Sequence, residues 1–159
     1  MIASFLSPLC VTLVTPHAND GIGQWQLLEP FSFYSVVLKK TVVVPIGFST
    51  DFASVPKAIL AWGLFGGRYG RPAVVHDYLT RYRSCPREKA DRVFLEAMRL
   101  ENSIELAALF AAGEDDDEIA SRKNALEGRV VAMYAAVALY TKTGLWKTEV
   151  DRAGYEPLG

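Results

Sequence analysis

The sequence predicts an α+β fold, in which a small N-terminal antiparallel or mixed sheet packs against a C-terminal bundle of three to five helices. Three observations support this. Runs of β-branched and aromatic residues broken by turn formers fill positions 9–48. From position 56 to 144 the chain reads as helical, with prolines at helix starts and, in the helix after Pro86, apolar residues recurring at intervals of three and four. Strand-like sequence precedes helix-like sequence without alternating with it, which is the order of an α+β chain rather than of repeated βαβ units.

In chain order, residues 11–15, 25–28, 33–38 and 41–44 read as short strands. Asn19-Asp20-Gly21 supplies a turn that tolerates left-handed geometry, and Lys39-Lys40 makes a tight polar turn between two strands. Pro30 and Pro45 mark where ladders stop, since proline has no N–H to donate. A β-like lead-in through Ile46 and Phe48 follows. Pro56 then suits the first turn of a short helix over 57–62, where its missing N–H would be unpaired anyway. Gly63, Gly66, Gly67 and Gly70 form a turned loop.

Pro72 opens a helix to Arg83, and Pro86 opens another to Asn102, with Ala90, Val93, Phe94, Ala97 and Met98 on one face. A fourth short helix is expected over 103–112, then a solvated acidic loop over 113–118. Its carboxylates are consecutive rather than alternate, unlike a calcium loop. The last helix starts near Ile119 or Asn124, runs to Thr143 and ends at Gly144. A polar tail occupies 147–159. No repeat or composition break divides the chain, so positions 1–159 are expected to form a single domain.

The chain has 159 residues, enough for one core without a staple. Half of it is hydrophobic and 22% is charged, an ordinary globular composition. With 17 basic and 18 acidic residues the net charge is -1, which neither requires nor suggests a nucleic-acid partner. Arg68, Arg71, Arg81, Arg83, Arg87, Lys89 and Arg92 form a mild basic gathering, better read as a solvated face with several charges paired. Cys10 and Cys85 make neither a zinc knuckle nor a disulfide framework. Residues 1–10 lack a signal-peptide pattern, and the longest uncharged apolar run, 130–140, falls short of the roughly 17–25 residues of a membrane span.

Two histidines are present, and they differ in setting. His17 lies in a polar turn and is expected at the surface. His76 lies on an apolar helix, followed at once by Asp77, and is the better acid, base or ligand candidate. Neighbours on a helix diverge by about 100°, so His76 and Asp77 must serve different partners. Asp77 can face Arg81 one turn on. A helical hairpin through 83–86 brings Asp91 towards His76, and an inward carboxylate is costly without such a partner. A His–Asp bond that fixes the ring tautomer orients a general base, but it also occurs as plain structure. Asp51 sits between the last strand and a short helix, where it can cap or form an Asx-turn. Together with Asp77 and carbonyls of the glycine-containing loop, it can also supply hard oxygen ligands for calcium or magnesium.

Three ordered motifs carry a resemblance: Phe48-Ser49-Thr50-Asp51-Phe52-Ala53-Ser54-Val55-Pro56, then Ala73-Val74-Val75-His76-Asp77-Tyr78-Leu79, then Arg87-Glu88-Lys89-Ala90-Asp91-Arg92-Val93-Phe94 with Ala97-Met98. Over about 33–146 the chain resembles a small domain family of tailed phages and prophages that has no established function. The resemblance implies a phage or prophage origin, a place in the host cytoplasm or in the virion, and phage structural proteins as partners. In motif order alone the chain is also similar to phospholipases A2. Gly66–Gly70 would correspond to the calcium loop, His76 to the residue that activates water, Asp77 to a calcium ligand and Asp91 to the residue that holds the histidine. The disulfides of those enzymes are missing, their helices are longer, and Thr80 stands where they carry tyrosine.

Two function classes follow. One is a metal-assisted hydrolase of an ester or amide in a lipid or cell-wall substrate, with His76 as general base and Asp91 as its partner, and with Asp77 and Asp51 on calcium or magnesium. The other is an accessory or structural protein of a phage particle or its assembly, in which the same cluster fixes helix packing. An exposed apolar patch including Trp25, Trp62, Phe65 or Trp146 would favour the second.

Overall fold

A computed structural model describes residues 2–16, 23–52 and 68–144. His17, the 19–21 turn, the 57–62 helix, the glycines from 63 to 67, Trp62, Phe65, Trp146 and the polar tail all lie outside the described residues.

The N-terminal part forms two three-stranded sheets, both antiparallel. In the first, β1 (Ser4–Phe5) and β5 (Lys40–Val44) flank β4 (Phe31–Ser35). In the second, β2 (Val11–Thr15) and β6 (Ser49–Thr50) flank β3 (Gln24–Leu27). The period of two is plain in β4, where Phe31, Phe33 and Ser35 are buried and Ser32 and Tyr34 are not. Phe31 lies opposite Val44, and Phe33 opposite Val42. The prolines act as expected: β4 begins directly after Pro30 and β5 ends directly before Pro45.

Three helices are described: α1 (Gly70–Arg81), α2 (Arg87–Ala111) and α3 (Asp116–Thr143). Pro72 is the third residue of α1, where its lost N–H is one that no intrahelical bond would use. Arg83, at φ 48°, turns the chain out of α1, and Pro86 precedes α2. α2 passes through Ser103 without a break, so the two helices expected over 86–112 are one. α3 starts earlier than expected, because the Asp115 side chain accepts a bond from the Asp117 N–H and caps it. The second half of the acidic stretch is therefore the first turn of α3. Gly144, at φ 71°, closes α3 in the left-handed geometry expected of it.

α1 packs on β5 and α2, α2 also packs on β4, and α3 packs on α2. One continuous core joins Leu27, Phe31, Phe33, Val42, Val44, Phe48 and Phe52 of the strand region to Val74, Val75 and Leu79 of α1. It continues through Val93, Phe94, Ala97 and Met98 of α2 to Val130, Met133 and Val137 of α3. α1 is enclosed on nearly every side, from Pro72 through Asp77 and at Leu79. Such a helix must provide partners for any polar side chain it carries.

Candidate functional site

His76 and Asp91 meet where α1 and α2 face each other. His76 Nε2 lies 2.8 Å from Asp91 Oδ1, and both side chains are buried. The second carboxylate oxygen, Oδ2, accepts a bond of 2.6 Å from the Thr141 hydroxyl on α3. Arg87 Nε donates in turn to the Thr141 oxygen at 3.3 Å, while its guanidinium lies 5.6 Å from the centre of the Tyr140 ring. Asp91 thus ties three helices together at one point. The Phe94 ring packs against the imidazole, with centroids 5.1 Å apart.

A carboxylate can only accept, so Nε2 is the donor to Asp91 and, in a neutral imidazole, Nδ1 carries the lone pair. Nδ1 is buried and has no hydrogen-bond partner among the described residues.

Asp77 faces elsewhere, as adjacent helical positions require. Its Oδ2 accepts a bond of 2.5 Å from the Thr50 hydroxyl, and the Thr50 oxygen also accepts from the Phe52 N–H at 3.0 Å. Arg81, one turn on, donates to the Ser49 carbonyl at 2.5 Å and lies over the Phe48 ring. Both side chains therefore fasten α1 to β6. The backbone next to that clasp is strained. Phe52 is held at φ 56°, an unfavourable conformation for a bulky residue, and Thr50 and the burial of the Phe52 ring hold it there. Asp51 sits between Thr50 and Phe52 and is half-buried.

The four residues singled out from sequence fall into two arrangements: the His76–Asp91 pair, and Asp77 on Thr50 with Asp51 next in the chain. Among the described residues, no group of three or more His, Cys, Asp or Glu side chains is placed to hold a metal ion. Beside the first arrangement, a cleft of about 350 Å³ is lined by Thr80, Arg83, Cys85, Pro86 and Arg87. Arg87 is common to the cleft wall and to the network, through its bond to the Thr141 oxygen. Burial pushes the Cys85 thiol up from its ordinary range, while Lys40 and Lys89 pull it down.

Thr141 and Thr50 complete the two arrangements, and the sequence reading passed over both. For Thr141 a signal existed. Leu126, Val130, Met133 and Val137 form the buried stripe of α3, and Thr141 continues it by one more step of four. A hydroxyl on a buried stripe needs a partner.

A family model described as a protein of unknown function (DUF1353) matches residues 25–111. The matched segment runs from β3 to the end of α2 and contains Asp51, His76, Asp77 and Asp91, but not Thr141. No curated protein and no solved structure matches the chain.

Proposed function

The chain belongs to the DUF1353 family, a phage- and prophage-associated family of unknown function, and we propose that it acts as an accessory or structural protein of a phage particle or its assembly. One observation carries this reading. His76, Asp91 and Thr141 are 0%, 2% and 8% exposed, and their hydrogen bonds run between helices rather than towards a surface. A buried polar network of this kind specifies how helices pack. The partners in this reading are other phage proteins, in the host cytoplasm or in the virion. Its test is complementation of a deletion in the native phage by a His76→Gln variant, alongside detection of the chain in purified particles. Glutamine keeps a donor for Asp91 but has no basicity. Full phage yield from a folded His76→Gln protein is expected, and loss of yield with the fold intact would overturn the reading.

A second reading is favoured by the unpartnered Nδ1. It is a metal-assisted hydrolase of an ester or amide bond in a lipid or cell-wall substrate. His76 would be its general base, Asp91 would orient the ring, and Asp77 and Asp51 would bind calcium or magnesium. Calorimetric titration of the metal-free protein with calcium, magnesium and zinc, with Asp77→Ala as control, separates the two. Micromolar binding lost in the variant supports the hydrolase, and no binding to any of the three removes it.

A further inference from the structure

We propose that the arginines gathered where the start of α1 meets α2 and α3, namely Arg68, Arg122 and Arg129, bind a phosphate dianion over the Tyr69–Asn102 pair. Arg68 lies just before α1, and Arg122 and Arg129 lie on α3. Glu105 of α2 joins the first two, since both Arg68 and Arg122 pair with its carboxylate, the latter at 2.8 Å. Arg122 and Arg129 are seven positions apart, about two turns along one face of α3, and flank the buried Leu126. Burial and then Arg122 and Arg129 lower the Arg68 guanidinium from its ordinary value, with Tyr69 and Glu101 opposing. The Tyr69 phenol in turn feels Arg68, Arg129 and Glu101. These groups therefore surround one spot.

Charge at that spot is unbalanced. Glu101 is taken up by Arg71, which meets its two oxygens at 2.9 and 2.7 Å. Glu127 is taken up by Arg99. Glu105 is shared by two arginines, and Arg129 has no hydrogen bond or ion pair among the described residues. Arg68, Arg71, Arg122 and Arg129 are thus answered by two carboxylates. Like charges this close repel one another until an anion joins them. The start of α1 adds the same sign, because no side chain caps it and no acidic residue lies in its first turn.

A neutral group points to a ligand independently. Asn102 is 6% exposed, and its Oδ1 accepts from the Tyr69 hydroxyl at 2.9 Å. Its amide nitrogen carries two N–H groups and has no partner among the described residues. Unlike His76 Nδ1, that nitrogen is not sealed off, so an incoming acceptor can reach it. Two unanswered positive charges and a spare amide donor suit a dianion with several acceptor oxygens, and the planar fork of arginine suits phosphate.

The test is calorimetric titration of the full chain with inorganic phosphate, at about pH 7.5 and low salt. Saturable binding with a Kd below about 1 mM is expected. It should weaken as salt rises, and weaken again below pH of about 6, where phosphate loses its second charge. Arg129→Gln breaks no bond of the fold and should weaken binding by about tenfold or more. Arg92→Gln, at an exposed arginine earlier on α2, should leave it unchanged. In NMR spectra the Asn102 side-chain amide should shift as phosphate saturates the protein. Phenyl phosphate distinguishes the sources of the anion: tighter binding than inorganic phosphate assigns the site to a phosphate monoester, and weaker binding assigns it to the free ion. The proposal is overturned by absence of saturable binding up to about 10 mM, by binding indifferent to Arg129→Gln, or by a duplex DNA fragment that binds when neither phosphate does.

Discussion

His76 Nε2 and Asp91 Oδ1 lie 2.8 Å apart, 15 positions apart in sequence, and neither side chain reaches water. The bond does more than hold two helices. The other oxygen of Asp91 accepts from Thr141, 50 positions further on, so one carboxylate fixes the relative placement of α1, α2 and α3.

Removing that carboxylate should therefore be among the most damaging single changes in the protein. Asp91→Ala leaves the imidazole N–H and the Thr141 hydroxyl without their acceptor, and two buried donors left unsatisfied cost about 2–5 kcal/mol together. Asp91→Asn keeps an acceptor for His76, and the Thr141 hydroxyl can rotate to accept from the new amide, so a loss of about 1–2 kcal/mol is expected. Urea unfolding measures both. Equal losses in the two variants would show that the charge, rather than hydrogen-bond satisfaction, is what matters.

Tyr69 gives a dependence on pH. Its hydroxyl donates to Asn102 Oδ1 at 2.9 Å, and burial pushes the phenol above its ordinary range. The folded state thus holds this proton more tightly than the unfolded chain. Its contribution is complete below pH of about 10, where the unfolded phenol is still protonated, and is lost as pH rises through the folded value. Below pH 9 or so, Tyr69→Phe should be less stable by about 1 kcal/mol for the lost hydrogen bond. Denaturation at a series of pH values should show that gap narrowing above pH of about 10, and a gap that stayed constant would count against the assignment.

What could be read from the sequence was what neighbours in the chain determine. The alternation in β4 and β5, the prolines at their ends, and the stop at Gly144 are all local. So is the hairpin that aims Asp91 at His76, because two helices joined by a short turn have few ways to pack. Two-residue strands such as β1 and β6 are too short to show any period. The expected break at Ser103 is absent: the Ser103 hydroxyl bonds back to the Leu100 carbonyl at 2.8 Å, and the helix tolerates this and continues. Residues 36–38 look like strand but form a turn, in which Glu96, about 60 positions away, accepts from the Val36 and Val37 N–H groups and Ser35 from that of Leu38. Thr141 joins the site only once α3 has folded back along α2.

Lys39 occupies the left-handed region at φ 56° in the turn between β4 and β5. A side chain there costs about 1–2 kcal/mol that glycine avoids, offset in part by the greater freedom glycine gives the unfolded chain. Lys39→Gly should therefore raise stability by up to about 1 kcal/mol, whereas β-branched Lys39→Val should lower it by more than about 1 kcal/mol. Paired urea curves decide this, and a Lys39→Gly protein less stable than the parent would show that the lysine side chain makes a compensating contact.

The same turn depends on Glu96. Its Oε1 accepts from the N–H groups of Val36 at 2.8 Å and Val37 at 3.3 Å, and its Oε2 accepts from the Ser35 hydroxyl at 2.6 Å. Ser35 is fully buried, and its oxygen also accepts from the Leu38 N–H, so the carboxylate organises a turn that its own residues do not specify. Glu96→Ala strips three donors of their acceptor, and with charge-assisted bonds involved about 2–3 kcal/mol should be lost. Glu96→Gln keeps an acceptor for the two N–H groups and offers its amide to the Ser35 oxygen, so about 1 kcal/mol is expected. Hydrogen exchange at Val36 and Val37 is the sharper readout. Protection at both should collapse in Glu96→Ala and largely survive in Glu96→Gln, because the glutamine oxygen replaces the acceptor and only the charge is gone. Protection that persisted in Glu96→Ala would mean that the strands hold the turn without α2, and that the 60-residue link is incidental to the fold.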